Sequence, residues 1–429
     1  MKKKKLTPGR FIALGFATVI LLGTFLLLLP ISHNEGVSVS VVDALFTSTS
    51  AVCVTGLIVV DTKDTFSVFG RTVIAMLIQI GGLGITSIGV GFIIFSGKKI
   101  NMRERLLVKE ALNYPSFKGV LSLVKSVLLM TLSFELIGMI LSFIVFSKDY
   151  PFWEALGISA FHSVAAFNNS GFDVLGGLRN LIPYHDNVLL NLTTCGLIIF
   201  GGLGFFVIRD VIHKRSFKKL SFHSKVVITT TISLLVIGTL LLKATENITW
   251  LGAFFNSTSA RTAGFSTFPL SEFTNASLFV LIILMFIGAS PGSTGGGIKT
   301  TTFFVLIHAI HGASTNKEPS AFKRKISQDN IHKSFVITLL ALTVVVVATF
   351  LLSILEPSTD FVALLLEVVS GFGTVGLSTG ITPGLESLSK IILVLTMFIG
   401  RLGPLTIASL WIYNVKSDIS FSEETLSVG

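Results

Sequence analysis

Charged residues are scarce in this 429-residue sequence, since Asp, Glu, Lys and Arg together make up only 13% of it. Soluble domains usually carry about 25% of these residues, so the composition argues against a soluble enzyme or binding domain. Cysteine occurs only at Cys53 and Cys195, which excludes a disulfide framework and a cysteine-based metal cluster. The eight histidines show no spacing typical of metal ligands. We therefore expect no transition-metal site and no cofactor bound by this chain.

Apolar residues dominate instead: 51% of the chain is hydrophobic, mean hydropathy is +0.81, and there are 39 Gly and 37 Phe. This composition is typical of a helical membrane protein. A membrane span needs about 20 mostly apolar residues. Eight segments meet or nearly meet that length: Phe11 to Leu29, Val73 to Phe95, Val120 to Phe146, Val188 to Ile208, Val226 to Leu242, Leu278 to Ile310, Phe335 to Leu355 and Ile391 to Tyr413.

The net charge of +10 has a topological explanation. Basic residues concentrate at the N-terminus, in every second connection between spans and in the C-terminal tail. Because cytoplasmic loops are enriched in Lys and Arg, we predict a multi-pass protein of the cell membrane with both termini cytoplasmic and no nucleic-acid partner. The other connections hold acids such as Asp61, Asp173 and Glu367. These acids either concentrate cations at an outer mouth or reflect the low basic content of external loops.

Each of the four predicted external connections contains a short apolar, helix-like run that ends in small residues and a glycine. The four turns are Val54-Thr55-Gly56, Asn169-Ser170-Gly171, Thr262-Ala263-Gly264 and Thr374-Val375-Gly376. A second glycine follows each turn glycine 24 to 30 residues later, at Gly81, Gly201, Gly288 and Gly400. Because a second glycine follows each of the four turns at a similar distance, we predict an all-α membrane protein. It would consist of four tandem repeats, each made of a span, a pore helix and a second span.

The four turns suggest one shared function. Irregular backbone at membrane depth is tolerated only where it is buried in protein or lines a watery cavity. Turns that meet on one axis would satisfy this condition, and glycine would let each turn direct main-chain oxygens toward the axis. A ring of carbonyl oxygens can replace the hydration shell of an alkali cation. Thr374-Val375-Gly376 also repeats the opening of the potassium-channel filter signature Thr-Val-Gly-Tyr-Gly, so we predict a pseudo-fourfold ion pore.

The sixth predicted span is interrupted between Gly288 and Thr300, where five glycines and Pro291 cannot continue a stable helix. Residues 292–297 have the G-x-x-x-x-G spacing of a phosphate-binding loop. Such a loop requires Lys directly after the last glycine, whereas this sequence has Ile298 and no preceding strand. The segment is better interpreted as a flexible loop beneath the filter.

Ionisable residues within predicted spans are candidates for function. Arg401 occupies the fourth repeat where Gly82 stands in the first, which places its charge near the axis or against carbonyls at a helix end. Lys299 either reaches the cytoplasmic interface or anchors the loop. We expect Glu135 to pair at a helix interface and Arg261 to support the filter from outside the axis. The remaining polar residues near the turns are expected to pack or to brace them: Cys53, His162, Asn168 and Asn169.

On these residues the chain is identified as a member of the Ktr/Trk/HKT superfamily of cation transporters, and it resembles the Ktr branch in its compact length. The resemblance covers nearly the whole chain. It implies potassium as the substrate, because glycine at all four filter positions is associated there with potassium preference, and leaves sodium open as a coupling or activating ion. It also implies a homodimer and a separate cytosolic ring of nucleotide-binding subunits. The gate of the family corresponds to Gly288, Ser290, Pro291, Gly292, Gly295, Gly296, Gly297, Lys299 and Arg401.

The predicted repeats cover residues 1–105, 106–218, 219–315 and 316–413, followed by a cytoplasmic tail over 414–429. The alternative to a filter-based potassium uptake protein is a sodium- or proton-linked secondary carrier, although such carriers typically show inverted repeats. An enzyme is excluded because the spans contain no paired carboxylates, histidine cluster or nucleophile beside its base. A scaffold role would leave the four aligned glycines unexplained.

Overall fold

The structure is a computed structural model that describes residues 8–84, 87–88 and 120–409. Four helices contain stretches long and apolar enough to cross a membrane: Pro8–Leu28, Val120–Phe146, Phe222–Thr245 and Gln328–Leu355. We call them the outer helices. Their surfaces carry exposed apolar side chains such as Leu129, Val236 and Phe350, as expected where a helix meets lipid. The predicted basic residues at Lys2 to Lys5 and from Lys98 to Lys118, and the tail over 414–429, lie outside the described residues.

Each outer helix is followed by a short pore helix, a turn and an inner helix. The pore helices are Val41–Cys53, Phe152–Phe167, Trp250–Ser259 and Phe361–Gly373. The inner helices are Val68–Leu83, Val188–Leu203, Asn275–Phe286 and Ser387–Leu402. The prediction of an all-α membrane fold is therefore confirmed, and the order of outer helix, pore helix and inner helix occurs four times in the described part of the chain.

The pore helices begin at polar caps and lie in the core. Side chains of Ser40, Thr249 and Asp360 accept hydrogen bonds from main-chain amides in the first turns of three of them. A serine in each of three pore helices also donates to a main-chain oxygen of its own outer helix. These bonds join Ser48 to Ile20 (2.7 Å), Ser163 to Glu135 (2.6 Å) and Ser257 to Leu235 (3.1 Å). The shared contact identifies equivalent positions in the three repeats.

Three inner helices end at a glycine with nearly the same backbone conformation. Gly84, Gly204 and Gly403 have φ of 80°, 90° and 88° and ψ of 134°, 136° and 136°. Because side-chain-bearing residues rarely adopt such a φ, glycine permits the chain to turn away from the helix axis here. The helix Phe205–Lys214 lies at 98° to Val188–Leu203. The predictions of continuous spans from Val188 to Ile208 and from Ile391 to Tyr413 were wrong on this point.

The third inner helix ends differently, as predicted from the interruption in its sequence. It stops at Phe286, and helix Thr300–Thr315 resumes after the loop. Smaller elements include the helices Thr62–Thr65 and Pro404–Ser409, five short 3-10 helices, and an antiparallel pair of strands, Ser320–Ala321 and Arg324–Lys325. Large aromatic side chains on the pore helices, among them Phe46, Phe167 and Phe372, are fully buried and form the centre of the core.

Candidate ion-conducting site

The four predicted turns share an unusual backbone conformation. The first residue of each turn lies in the left-handed region although it is not glycine: Val54 (φ 58°), Asn169 (59°), Thr262 (83°) and Thr374 (50°). The turn glycines also have positive φ: Gly56 (87°), Gly171 (69°), Gly264 (78°) and Gly376 (96°). Such values at matched positions cost conformational energy at the non-glycine residues and cluster at functional sites.

The four turns meet in a closed ring. A β-carbon on Gly56 would lie 2.9 Å from the α-carbon of Gly171, and one on Gly171 would lie 2.9 Å from that of Gly264. The series continues from Gly264 to Gly376 and from Gly376 back to Gly56, at 3.0 Å in both cases. The turns therefore follow one another in chain order around a single line, and each glycine lies against the backbone of the next turn.

Hydrogen bonding in the turns leaves main-chain oxygens unpaired. The amides of Thr55, Ser170 and Val375 donate to the pore-helix oxygens of Ser50, Ala165 and Ser370, at 2.8 to 2.9 Å. Within the described residues, no hydrogen bond reaches the main-chain oxygens of the residues directly before the four glycines, and all four residues are fully buried. They are Thr55, Ser170, Ala263 and Val375. Buried carbonyls are almost always paired, so four unpaired ones in a ring call for a partner such as water or a cation.

A cavity of about 210 Å³ lies next to the ring and includes Gly56, Gly264 and Gly376 in its lining. Polar groups from several repeats surround it. The side chain of Asn180 accepts hydrogen bonds from the amides of Leu181 (2.9 Å) and Ser266 (3.2 Å), and so joins the second repeat to the third. Sequence reasoning missed Asn180; its only sequence signal is an Asn that follows two glycines in a loop.

No acidic residue of the described chain lines this cavity. Asp61 instead accepts hydrogen bonds from the amides of Lys63 and Asp64 (both 2.8 Å) and of Leu178 (2.7 Å). Glu367, which we expected in an external loop, is fully buried in the fourth pore helix and accepts a hydrogen bond from Thr382. Neither Asp61 nor Glu367 therefore lines this cavity.

The interrupted segment, which we call the gate loop (residues 288–297), packs directly against the turns. The amide of Gly296 donates to the hydroxyl of Thr374 (2.9 Å), and the hydroxyl of Thr294 donates to the main-chain oxygen of Phe167 (3.3 Å). A β-carbon on Gly295 would lie 2.9 Å from that of Thr262. The loop thus contacts residues of the second, third and fourth repeats next to their turns, and side chains larger than hydrogen would not fit at this approach.

The gate loop also contacts the second inner helix and the helix Phe205–Lys214 that follows it. The amides of Thr294 and Ser290 donate to the main-chain oxygens of Gly201 (3.2 Å) and Gly202 (3.1 Å). The amide of Phe205 donates to the oxygen of Gly292 (3.1 Å), so the loop caps the helix that begins there. Residues Pro291, Gly292 and Ser293 are half-buried, whereas Thr294 to Ile298 are buried.

Both cationic residues that we singled out contact the gate loop. Lys299 donates to the main-chain oxygens of Gly295 (2.8 Å) and Gly296 (3.4 Å), which matches the anchoring role and not the cytoplasmic interface. Arg401 donates to the main-chain oxygens of Thr294 and Gly81. It therefore pairs with carbonyls at the end of the first inner helix, which was the second of its two predicted placements, and it also contacts the loop.

The other candidate residues support the turns from outside the ring. Glu135 accepts a hydrogen bond from Asn168 (3.1 Å) at a helix interface, as expected. Arg261 is 7% exposed and donates to the main-chain oxygen of Thr231 (3.4 Å). Three further residues brace or pack near the turns: Asn169 hydrogen-bonds Thr262 (3.0 Å), His162 hydrogen-bonds Thr194 (2.9 Å), and Cys53 is a buried free thiol.

The regular spacing between the turn glycines and the inner-helix glycines is explained by a contact that recurs in three repeats. Gly81, Gly201 and Gly400 each pack against a main-chain oxygen four residues before the turn glycine of the same repeat. These oxygens belong to Val52, Phe167 and Phe372. In the third repeat the contact of Gly288 is with Gly296 of the gate loop instead. The third repeat therefore departs from the others at the gate loop.

Comparison with known proteins agrees with this architecture. The model of a protein family described as TrkH, cation transport protein, matches residues 12–423. The Ktr system potassium uptake protein B of Bacillus subtilis is 39% identical, with 100% of this chain and 98% of the relative covered. The potassium/sodium uptake protein NtpJ of Enterococcus hirae is 37% identical over the same shares of both chains.

A solved structure shows the same fold. The potassium transporter TrkH of Vibrio parahaemolyticus superposes with a TM-score of 0.75 at 19% identity, covering 96% of this chain and 86% of that one. These relatives are named as transporters and uptake proteins, in agreement with the exclusion of an enzyme. The resemblance drawn from the four turns and the broken span is confirmed: this chain belongs to the TrkH family of cation transport proteins.

Proposed function

We propose that this protein takes up potassium across the cell membrane through a selectivity filter formed by the four turns. The main observation is the ring of buried, unpaired main-chain oxygens at Thr55, Ser170, Ala263 and Val375. Such oxygens replace the water around an alkali cation without adding a fixed charge that would hold it too tightly. The adjacent residues from Val54 to Gly56, Asn169 to Gly171, Thr262 to Gly264 and Thr374 to Gly376 complete the filter.

Potassium is the substrate that the relatives favour, since the proteins from Bacillus subtilis and Enterococcus hirae are both named for potassium uptake. The second name also includes sodium, which makes sodium a candidate coupling or activating ion. The closed ring of glycines supports the same substrate, because a serine at one position would add bulk against the next turn. Repeats over 1–105, 106–218, 219–315 and 316–413 would each supply one quarter of the filter.

Gating is assigned to the gate loop together with Lys299 and Arg401. The loop lies against the turns, and its main-chain oxygens accept hydrogen bonds from both cationic side chains. In this position it blocks the axis directly below the ring, and the positive charges oppose an approaching cation. Flux then requires the loop to leave the turns, which breaks the bond between Gly296 and Thr374.

The assembly and orientation follow from the family resemblance and the charge pattern. Cytoplasmic loops are enriched in Lys and Arg, and the basic residues of this chain concentrate at the N-terminus, in every second connection and in the C-terminal tail. We therefore assign both termini to the cytoplasm. The working unit is a homodimer, and a cytosolic ring of nucleotide-binding subunits docks on the basic loops to control the gate. Neither partner is a nucleic acid, and membrane lipid covers the exposed apolar faces of the outer helices.

The proposal is tested by expressing the full chain in bacterial cells that lack their own potassium uptake systems. We expect growth at low external potassium and saturable uptake of ⁸⁶Rb⁺, with ²²Na⁺ uptake lower by at least about tenfold, a difference of about 1.4 kcal/mol. Growth rescue that does not depend on external potassium would contradict the proposal. Uptake of potassium that stops when the sodium or proton gradient is collapsed would favour the secondary carrier.

A matched pair of glycine variants tests the ring itself. Gly376 and Gly380 have similar backbone conformations, with φ of 96° and 93°. A β-carbon on Gly376 would meet the backbone of the first turn, whereas one on Gly380 would have nothing within 4 Å. Gly376→Ser is therefore expected to reduce the rubidium-to-sodium ratio, and Gly380→Ser to leave it unchanged. Equal ratios in both variants would count against a filter at the ring.

A further inference from the structure

Three polar side chains meet behind the second turn, between the first and second repeats. They are Gln79 of the first inner helix, Glu135 of the second outer helix and Asn168, which precedes the second turn. The side-chain amide of Asn168 donates to the carbonyl of Gln79 (2.8 Å), to the carboxylate of Glu135 (3.1 Å) and to the main-chain oxygen of Val164 (2.9 Å). We call Gln79, Glu135 and Asn168 the polar triad.

The fold does not require polar residues at Glu135 and Gln79, because the equivalent positions in other repeats are apolar. The main-chain oxygen of Glu135 accepts the pore-helix serine bond that Ile20 and Leu235 accept in the first and third repeats. Gln79 stands two residues before Gly81, where the second repeat has Ile199. A carboxylate in a membrane-embedded interface is costly, and such residues usually serve function.

The polar triad is tightly enclosed. Glu135 is 9% exposed and Asn168 is fully buried. A β-carbon on Gly82 would lie 2.6 Å from the side-chain amide carbon of Asn168, so the amide packs against the first inner helix without a gap. Gly82 in turn offers its main-chain oxygen to Arg401 at 3.4 Å. Movement of Asn168 is therefore restricted on the side of the first inner helix as well as by its hydrogen bonds.

Asn168 is directly followed by Asn169, whose positive φ begins the second turn. The orientation of this turn, including the unpaired oxygen of Ser170, depends on where the pore helix ends. Glu135 holds that pore helix twice, through the bond from Ser163 in its middle and through the bond from Asn168 at its end. We propose that Gln79 and Glu135 are positioning residues that fix the second turn, and with it the width of the ring that discriminates between cations.

This inference depends on the proposed potassium filter. The test uses the full chain and three variants: Glu135→Gln, Gln79→Glu and the double exchange. In the double exchange one carboxylate and one amide carbonyl still accept from Asn168, but on opposite helices. Both substitutions nearly preserve side-chain volume. Initial rates of ⁸⁶Rb⁺ and ²²Na⁺ uptake are measured in the same cells, and their ratio does not depend on the amount of protein in the membrane.

We expect each single variant to lower the rubidium-to-sodium ratio by about tenfold, because Glu135→Gln replaces the charged acceptor of Asn168 by a neutral one and Gln79→Glu sets two mutually repelling carboxylates on the same amide. The external KM for rubidium should rise while the maximal rate changes by less than about twofold. The double exchange should recover most of the wild-type ratio. Leu136→Ala removes a lipid-facing neighbour on the same helix, 54% exposed, and should leave the ratio unchanged.

Single variants with the wild-type ratio would overturn the inference while leaving the potassium filter intact. The inference would also be overturned if the double exchange lowered the rubidium-to-sodium ratio by the two single effects combined, added as free energies. In that case Gln79 and Glu135 would act independently and not through their shared partner Asn168. Failure of the wild-type protein to take up rubidium would instead overturn the proposed function itself. A purely structural role predicts a lower maximal rate at an unchanged ratio and is excluded by the expected result.

Discussion

The amide of Gly296 donates a hydrogen bond of 2.9 Å to the hydroxyl of Thr374. One partner belongs to the gate loop and the other begins the fourth turn of the ring. The proposed gate and the proposed filter are therefore joined by a hydrogen bond that opening would break. This relationship ties gating to the backbone that would select the ion.

Thr374→Val removes the hydroxyl that accepts this bond while keeping the side-chain shape. Loss of one hydrogen bond is worth about 1 kcal/mol, which would raise the population of the released loop, and the rubidium flux, about fivefold. Thr374→Ser keeps the hydroxyl and serves as the control, with flux near the wild-type value. Uptake that is equal in the two variants would show that the bond does not hold the gate closed.

Deletion of residues 292–297 tests whether the gate loop obstructs the axis. The two ends of the loop lie side by side, because Ile287 and Ile298 form a parallel bridge. The shortened chain can thus still connect the helices ending at Phe286 and beginning at Thr300. We expect rubidium flux to increase at an unchanged membrane level of the protein. A decrease in flux at a normal protein level would identify the loop as a scaffold for the filter.

Asp173 makes the stability of the folded protein depend on pH. Burial raises its pKa from 3.8 to about 6, with the amide of Leu175 opposing and Asp61 adding to the rise. Because its pKa is raised, the carboxyl of Asp173 binds its proton more tightly in the folded state than in the unfolded state. The stabilisation that the bound proton gives to the folded state is therefore complete below pH 3.8 and is lost as pH rises to about 6. The difference between the two pKa values corresponds to at most about 3 kcal/mol in the free energy of unfolding.

Asp173→Asn keeps an oxygen for the amide of Leu175, which donates to Asp173 at 3.0 Å, but removes the titrating group. We expect this variant to melt at a higher temperature than the wild type at pH 7 and to lose that advantage at pH 4. The measurement is the melting temperature of the purified protein in detergent across this range. Glu272→Gln, at an exposed position, is the control. A difference that does not vary with pH would refute the assignment to Asp173.

The repeated parts of the fold were predictable because each repeat carries the same local signals. The turn glycines Gly56, Gly171, Gly264 and Gly376 and their step to Gly81, Gly201 and Gly400 reflect direct backbone contacts. Such contacts leave no room for a side chain, so they constrain the sequence strongly. The interruption of the sixth span was equally visible, because glycine and proline cannot continue a helix.

The ends of the inner helices were not predictable from hydropathy. After Gly204 the sequence continues with Phe205, Phe206, Val207 and Ile208, and an apolar run does not reveal that the helix axis turns by 98°. The depth of Glu367 was missed for a related reason. Spacing placed it on a helix-like run between two spans, but only the packed structure shows that this pore helix lies inside the core.

The partners of the polar side chains were likewise beyond the sequence. Gln79 and Asn168 are 89 residues apart, and Arg401 is 320 residues from Gly81. Such contacts depend on the order in which the repeats close around the axis. Asn168 was expected to brace its own turn, but its use of acceptors from two different repeats required the structure.

The most direct test of the central claim is a crystal structure of the protein grown with thallium, a potassium substitute that scatters anomalously. The account predicts an anomalous peak on the line enclosed by the four turns, coordinated by main-chain oxygens of Thr55, Ser170, Ala263 and Val375. Anomalous peaks only at carboxylates or between helices, with none inside the ring, would contradict it.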